Sequence, residues 1–114
     1  MLPRQHRLPL RKERHRIEQN GLVRSFPHFT LYFLKRDDPS LPSRFAILVS
    51  KKLFPKAVDR NLFRRRVLHQ LHGSLPLFHS GYDFLIIPRA KLTQLKTSEL
   101  KKVLTNTLSI VKID

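Results

Sequence analysis

No cysteine occurs among the 114 residues, which removes disulfide frameworks, thiolate zinc sites and cysteine nucleophiles together. Glycine is nearly as scarce. The three present, Gly21, Gly73 and Gly81, stand far apart, so no glycine-rich loop can cradle a nucleotide phosphate. Long apolar runs are also missing, and stretches such as Phe84 to Ile87 are far too short to span a bilayer. The basic start from Met1 to Arg7 leads into no apolar segment of the kind a secretory signal requires. A cytoplasmic protein with no membrane partner is the expectation.

Acids are few as well. A protein-borne nuclease site needs converging carboxylates for a metal ion, or a His pair for acid and base work. Of the eight Asp and Glu, only Asp37 and Asp38 are adjacent, and they stand beside Pro39 and Ser40, where a surface turn is the competing reading. His69 and His72 lie one helical turn apart with no third ligand near them in sequence, so a phosphate-facing or solvated pair competes with a metal pair. No catalytic residue and no metal ligand is expected in this chain.

Positive charge is abundant instead: 23 Lys and Arg oppose the eight acids, for a formal charge of +15 with six His neutral. That balance points to a polyanionic partner. Two windows hold 13 of the 23 cations, residues 1–16 with six and residues 50–66 with seven, each against a single acid. A hydrophobic content of 40% with eight Phe closes a modest core, so the whole length reads as a single domain. Residues 1–10 are expected as a disordered basic arm, because like charges repel.

Arg11 to Asn20 lacks Gly and Pro, ends before Gly21 and reads as a short helix whose one large aliphatic is Ile17. Phe29 to Leu34 and Arg44 to Ser50 read as two strands separated by the Asp37-Asp38-Pro39-Ser40 turn, and an antiparallel pair is expected. Asp59 to His72 reads as a helix with Asp59 as N-cap and Gly73 as its stop. At 100° per residue, Phe63, Val67, Leu68 and Leu71 share one face, while Asn61, Arg65, Arg66, His69 and His72 fall opposite. Arg60 and Arg64 lie within the apolar sector. Either their stems follow the core edge, or the site uses them. Tyr82 to Pro88 is near-continuously apolar, as for a central strand buried on both faces. Leu100, Val103, Leu104, Thr107, Leu108 and Val111 keep helical spacing, with Thr97 as candidate N-cap. The order is α-β-β-α-β-α, with room for one more short strand, in an α+β sandwich.

The segment from Ser50 to Arg66 concentrates the chemistry. A strand ends in Lys51 and Lys52, a loop carries Lys56, and the following helix opens on Arg60-Asn61 and continues through Arg64, Arg65 and Arg66. These cations can meet phosphates near the positive end of the helix dipole, and Asn61 offers a donor and an acceptor to a phosphate, a ribose hydroxyl or a base edge. A generic solvated basic helix is the competing reading for the three consecutive Arg.

This ordered arrangement resembles the signature of the bacterial ribonuclease P protein component, in which a strand ending in Ser-Lys-Lys leads through a short basic loop into Arg-Asn-x-x-Lys-Arg. The matching residues are Ser50, Lys51, Lys52, Lys56, Ala57, Val58, Arg60, Asn61, Arg64 and Arg65. The likeness extends to Arg7-Leu8 and the basic segment up to Gly21, to Phe29–Tyr32, to Tyr82–Ile87 and to Leu100–Leu108. It implies a single-domain α-β sandwich ordered α-β-β-β-α-β-α, with a left-handed β-α-β crossover.

The resemblance also implies the protein subunit of a ribonucleoprotein endoribonuclease, whose RNA partner carries the chemistry and holds Mg2+. That enzyme removes the 5′ leader of precursor tRNA. Arg60, Asn61, Arg64 and Arg65 would then contact the catalytic RNA, with Arg66 an extra cation nearby and Lys51, Lys52 and Lys56 as supporting phosphate contacts. Tyr32 matches an aromatic of the leader cleft, against a competing reading as a sheet-face aromatic packed on a helix. The family's first helix usually presents two Phe to that cleft; alignment back from Gly21 places Arg14 and Glu18 there, while another alignment turns His15 and Ile17 inward. A further Arg-Glu or Arg-Gln pair of the family is replaced by Leu68 and His69. The free protein is expected to be monomeric. Two other classes explain less: a small basic ribosomal or other structural RNA-binding protein accounts for charge and size but not for the ordered motif, and a metal nuclease would have only Asp37 and Asp38.

Overall fold

The computed structural model describes residues 2–75 and 80–109. Strand β1 (Leu22–Ser25) follows helix α1 (Leu10–Asn20), and strands β2 (Phe29–Lys35) and β3 (Arg44–Ile47) precede helix α2 (Ala57–Gly73). Strand β4 (Tyr82–Pro88), a short helix α3 (Ala90–Thr93) and helix α4 (Thr97–Ser109) complete the order, with a 3-10 turn (Arg4–His6) ahead of α1. The four strands form one sheet in the order β1-β2-β4-β3. This is the mixed α+β architecture expected, including the additional short strand, β1, for which the pattern left room and which the resemblance implied.

β4 occupies the centre because both of its faces are apolar. Phe84 and Ile86 enter the larger core, with Phe29, Leu31 and Phe33 of β2, Phe63, Val67 and Leu71 of α2, and Leu100, Leu104 and Leu108 of α4. Leu85 enters a smaller core on the other face, with Ile17 of α1, Leu8 and Ala46. Two helices therefore cover one side of the sheet and α1 the other. Val111, the last position of the α4 periodicity, lies outside the described residues.

The expected antiparallel pairing of β2 with β3 is incorrect. β4 lies between them, antiparallel to β2 and parallel to β3. Residues 36–43, with Pro39 and Pro42, form a connector longer than a tight hairpin needs, and it carries the chain past the position that β4 fills. β3 and β4 are then joined by the crossover through α2, as parallel neighbours require. Two helix starts also differ from expectation. The N-cap of α2 is Lys56, not Asp59, which sits in the first turn near the positive end of the dipole. Thr97 is the first helical residue of α4, and the Glu99 carboxylate accepts the Lys96 backbone N–H at 3.0 Å.

Residues 2–10, expected as a disordered arm, are docked on the β3 edge. Leu2 and Leu8 are buried, and the Leu8 N–H donates to the Phe45 carbonyl at 3.0 Å. At the far end of the connector, the Asp38 carboxylate accepts the Ser40 N–H and hydroxyl at 2.9 and 2.7 Å, fixing the turn read from the sequence. Gly81 meets that turn in the left-handed region, with φ 85°. A Cβ there would lie 2.8 Å from the Pro39 carbonyl oxygen. No helix among the described residues is long and apolar enough to cross a membrane.

Candidate nucleic-acid interface

The cationic surface begins where β3 ends. The Ser50 carbonyl accepts N–H groups from Leu53 and Phe54 at 3.2 and 3.3 Å, closing a turn whose outer residues are the exposed Lys51 and Lys52. Phe54 then packs against Phe63 of α2 with ring centroids 5.3 Å apart, pinning the loop to the helix. Arg60 completes the attachment, its Nη1 donating to the Phe54 and Pro55 carbonyls at 2.8 and 2.9 Å. Lys56, exposed at the helix start, is thereby held beside Lys51 and Lys52 on one strand-loop-helix unit.

The two arginines inside the apolar sector thus follow the core edge. Arg64 is half-buried, donating through Nε to the Ile47 carbonyl at 3.4 Å and through Nη1 to Asn61 Oδ1 at 2.6 Å. That contact occupies the Asn61 acceptor and leaves its amide donors outward. Arg65 is exposed with no protein partner among the described residues. Arg66 behaves differently from its neighbour: 100° further round the helix, its guanidinium donates to the Leu95 carbonyl and ties α2 to the segment before α4. Of the eight residues expected at the interface, Lys51, Lys52, Lys56, Asn61 and Arg65 present free polar groups. Arg60 and Arg64 position them, and Arg66, which shares an open groove with Arg65, is tied to the Leu95 carbonyl.

Tyr32 is half-buried on the α1 side of the sheet, between Val23 of β1 and Leu85 of β4 in the strand register. Arg14 and Glu18 lie on one flank of α1 and bind each other at 2.9 Å. Ile17 is fully buried while His15 is exposed, so the alternative that turned both inward holds for Ile17 alone. A residue missed in the sequence closes this side: Arg89, directly after β4, donates to the Ser25 and Thr30 hydroxyls.

A buried ion cluster on the other flank of α1 was missed too. Asp83 is fully buried, its two oxygens accepting Nε and Nη2 of Arg44 at 2.7 Å each, and Arg16 Nη2 at 2.6 Å. Parallel pairing places Arg44 opposite Asp83, which produces the bidentate geometry. Glu13 accepts Arg16 Nε at 2.6 Å, and this bond leads the causes that raise the Arg16 pKa. The Asp83 hydrogen bonds lead those that raise Arg44. The one signal in the sequence was an acid inside a run of buried strand positions, where a charge needs a partner.

The acids do not converge elsewhere. No group of three or more His, Asp or Glu among the described residues could hold a metal ion. Asp38 is engaged by Ser40, and Glu13 and Asp83 by arginines, so this donor set does not fit a catalytic Mg2+.

The sequence model of the family described as Ribonuclease P matches residues 2–112. The chain belongs to the ribonuclease P protein family. The ribonuclease P protein component of Carboxydothermus hydrogenoformans is 38% identical over 102 residues, covering 90% of this chain and 84% of that protein. The component of a Picosynechococcus species is 30% identical over 107 residues, with 90% of each chain covered. Among solved structures, the ribonuclease P protein from Thermotoga maritima superposes with a TM-score of 0.83 at 27% identity, over 94% of this chain and 98% of that one. In this member of the family the Arg60-Asn61 pair divides its work: Arg60 braces the basic loop and Asn61 faces solvent. The first helix carries an exposed ion pair, Arg14 with Glu18.

Proposed function

We propose that this chain is the protein subunit of ribonuclease P, binding the catalytic RNA and the 5′ leader of precursor tRNA while the RNA carries the hydrolysis. The observation that supports this most is the family match over residues 2–112 together with the exposed cations of the Ser50–Arg66 unit that it includes. Lys51, Lys52, Lys56 and Arg65 would neutralise phosphates of the catalytic RNA, and the Asn61 amide would donate to a phosphate or ribose oxygen. Their placement depends on Arg60 and Arg64, whose bonds to backbone carbonyls fix the loop and the first turns of α2. On the other face, Tyr32 offers a stacking surface to a leader base, and Arg14, once released from Glu18, a phosphate contact. Mg2+ would be held by the RNA, where it stabilises the charge of the phosphodiester under attack.

The test is precursor-tRNA processing at low millimolar Mg2+ with protein alone, with a bacterial ribonuclease P RNA alone, and with both. Cleavage at the mature 5′ end that the mixture accelerates over RNA alone, with none by the protein, is the expected result. Cleavage by the protein alone, or a folded protein that gives no stimulation, overturns the reading. The second outcome would favour a ribosomal or other structural RNA-binding role.

A further inference from the structure

A groove between the N-terminal 3-10 turn and the connector before β3 belongs to neither surface described above. Arg4 and Arg7 form one wall and Arg36, Pro42 and Arg44 the other, around about 980 Å3. That volume is at the top of the ~300–1,000 Å3 range of pockets that take whole small molecules, and it suits a run of nucleic-acid backbone better than a lone ion. Four guanidinium groups line it, and no acid does.

Their charges are unequally compensated. Arg44 is paired in bidentate fashion with Asp83, which also serves Arg16. Arg36 approaches Asp83 only to 3.9 Å, and its Nη1 donates to the Pro42 carbonyl at 2.7 Å. Arg7 donates through Nε to the Leu2 carbonyl, also at 2.7 Å. Carbonyl contacts of this kind fix a guanidinium without neutralising it. The Arg4 side chain has no partner among the described residues and Arg7 meets no carboxylate there, so these two bring uncompensated positive charge into the groove, while Arg36 is partly compensated by Asp83 and stands beside Glu13 and Asp37 in the adjoining pocket.

The groove lies near α2. Arg7 also lines a smaller pocket at the edge strand β3, and Arg64 of α2 forms part of its wall. Arg7 and Arg64 thus flank an otherwise apolar pocket at the β3 edge, which separates the groove from α2. It opens on the Arg16 flank of α1, about 180° round that helix from Arg14 and Glu18. We propose that the groove holds backbone phosphates of the same catalytic RNA that meets α2, so that the RNA wraps the β3 edge. This inference rests on the subunit reading above. Arginine forks without an aromatic lining suit phosphates rather than bases, and the nearness of α2 across that pocket assigns them to the catalytic RNA rather than to the leader.

The test measures binding of a labelled bacterial ribonuclease P RNA transcript by the full chain across a potassium chloride series. The variants are Arg4→Gln/Arg36→Gln and Arg4→Gln alone, with Lys101→Gln/Lys102→Gln on the exposed side of α4 as a control of equal charge loss. Losing two phosphate contacts should reduce the slope of log affinity against log salt by roughly 1.4–1.8, and Arg4→Gln alone by about half of that. The α4 control should leave the slope near that of the wild type. The Arg4 side chain makes no hydrogen bond or ion pair among the described residues, so its variant remains informative if Arg36→Gln disturbs the connector. Groove variants that match the α4 control overturn the groove but not the subunit reading. A wild-type chain that fails to bind the RNA overturns both. Unchanged RNA binding with weakened capture of precursor tRNA by the assembled enzyme would overturn the assignment to the catalytic RNA.

Discussion

Asp83→Asn separates the contribution of a buried carboxylate from that of the apolar sheet around it. Asp83 is 0% exposed and anchors Arg44 and Arg16, whose side chains are 18% and 38% exposed. Removing one partner of a buried ion pair costs about 3–5 kcal/mol, because the remaining charge is left without compensation. Water reaches part of both guanidinium groups, which places the expected loss at the lower end, about 3 kcal/mol. That is a large share of the roughly 5–15 kcal/mol of a typical domain, and it corresponds to a fall in Tm of roughly 10–15 °C. Urea unfolding followed by far-UV circular dichroism should show a lower midpoint with an unchanged slope. The deficit should persist in high salt, which screens buried pairs weakly. Both guanidinium groups hold their protons more tightly than an ordinary arginine does. A pKa raised in the folded state contributes stability that is complete below the unfolded value, so the arginine contribution stays constant from neutral into alkaline pH. A loss under about 1 kcal/mol would equate Asp83 with a surface pair and refute the clamp.

Other outcomes follow from single positions. Gly81→Ala should destabilise by about 2 kcal/mol, since it combines a left-handed backbone with a Cβ 2.8 Å from the Pro39 oxygen; Gly73→Ala, with nothing within 4 Å at the end of α2, should stabilise by about 0.5–1 kcal/mol in the same urea assay. Arg65→Ala should weaken RNA binding with no change in Tm, whereas Arg66→Ala should lower Tm by a few degrees through the lost Leu95 contact; equal effects would contradict the division of the two side chains. Hydrogen bonds from Ser40 hold the Asp38 pKa below its ordinary 3.8, so its contribution is complete above that value and is lost as pH falls through the lower folded pKa; an Asp38 carboxyl titrating at or above 3.8 by NMR would contradict the turn.

What could be read from the residues depended on whether burial left a period. α4 and β4 were legible because Leu100, Leu104 and Leu108 keep helical spacing and Tyr82–Pro88 is apolar on both faces. β1 was not, because all four of its residues are exposed and it exists as a strand through pairing with β2. The β2–β4–β3 order was illegible for a similar reason: sequence neighbours suggest adjacency, whereas the strand with two apolar faces claims the centre. At the candidate site, the cationic segment stood out by composition, and the face assigned to Asn61 and Arg65 agrees with their exposure. The direction in which each guanidinium points depends on carbonyls distant in sequence, such as Ile47 for Arg64 and Leu95 for Arg66, and no local pattern encodes them.

Net charge therefore overstates the interface. Arg16 and Arg44 meet carboxylates, and Arg60 and Arg66 meet backbone carbonyls that would otherwise lack partners at the ends of loops and helices. These arginines build the domain. Lysine is placed differently: Lys51, Lys52 and Lys56 are exposed, and the turn and cap that carry them are fixed by Ser50, Phe54 and Arg60 rather than by lysine contacts. The chemistry of the two side chains accounts for the division, since a planar fork can satisfy several acceptors at a fixed angle while a mobile ammonium suits a phosphate whose position varies. Arg4, Arg7, Arg36 and Arg65 are then among the described arginines that no carboxylate approaches more closely than 3.9 Å. Three of them line the groove beside β3 and the fourth lies on α2. An RNA that satisfies both places must pass round the β3 edge, and it would hold the docked N-terminal residues against the sheet as it does so.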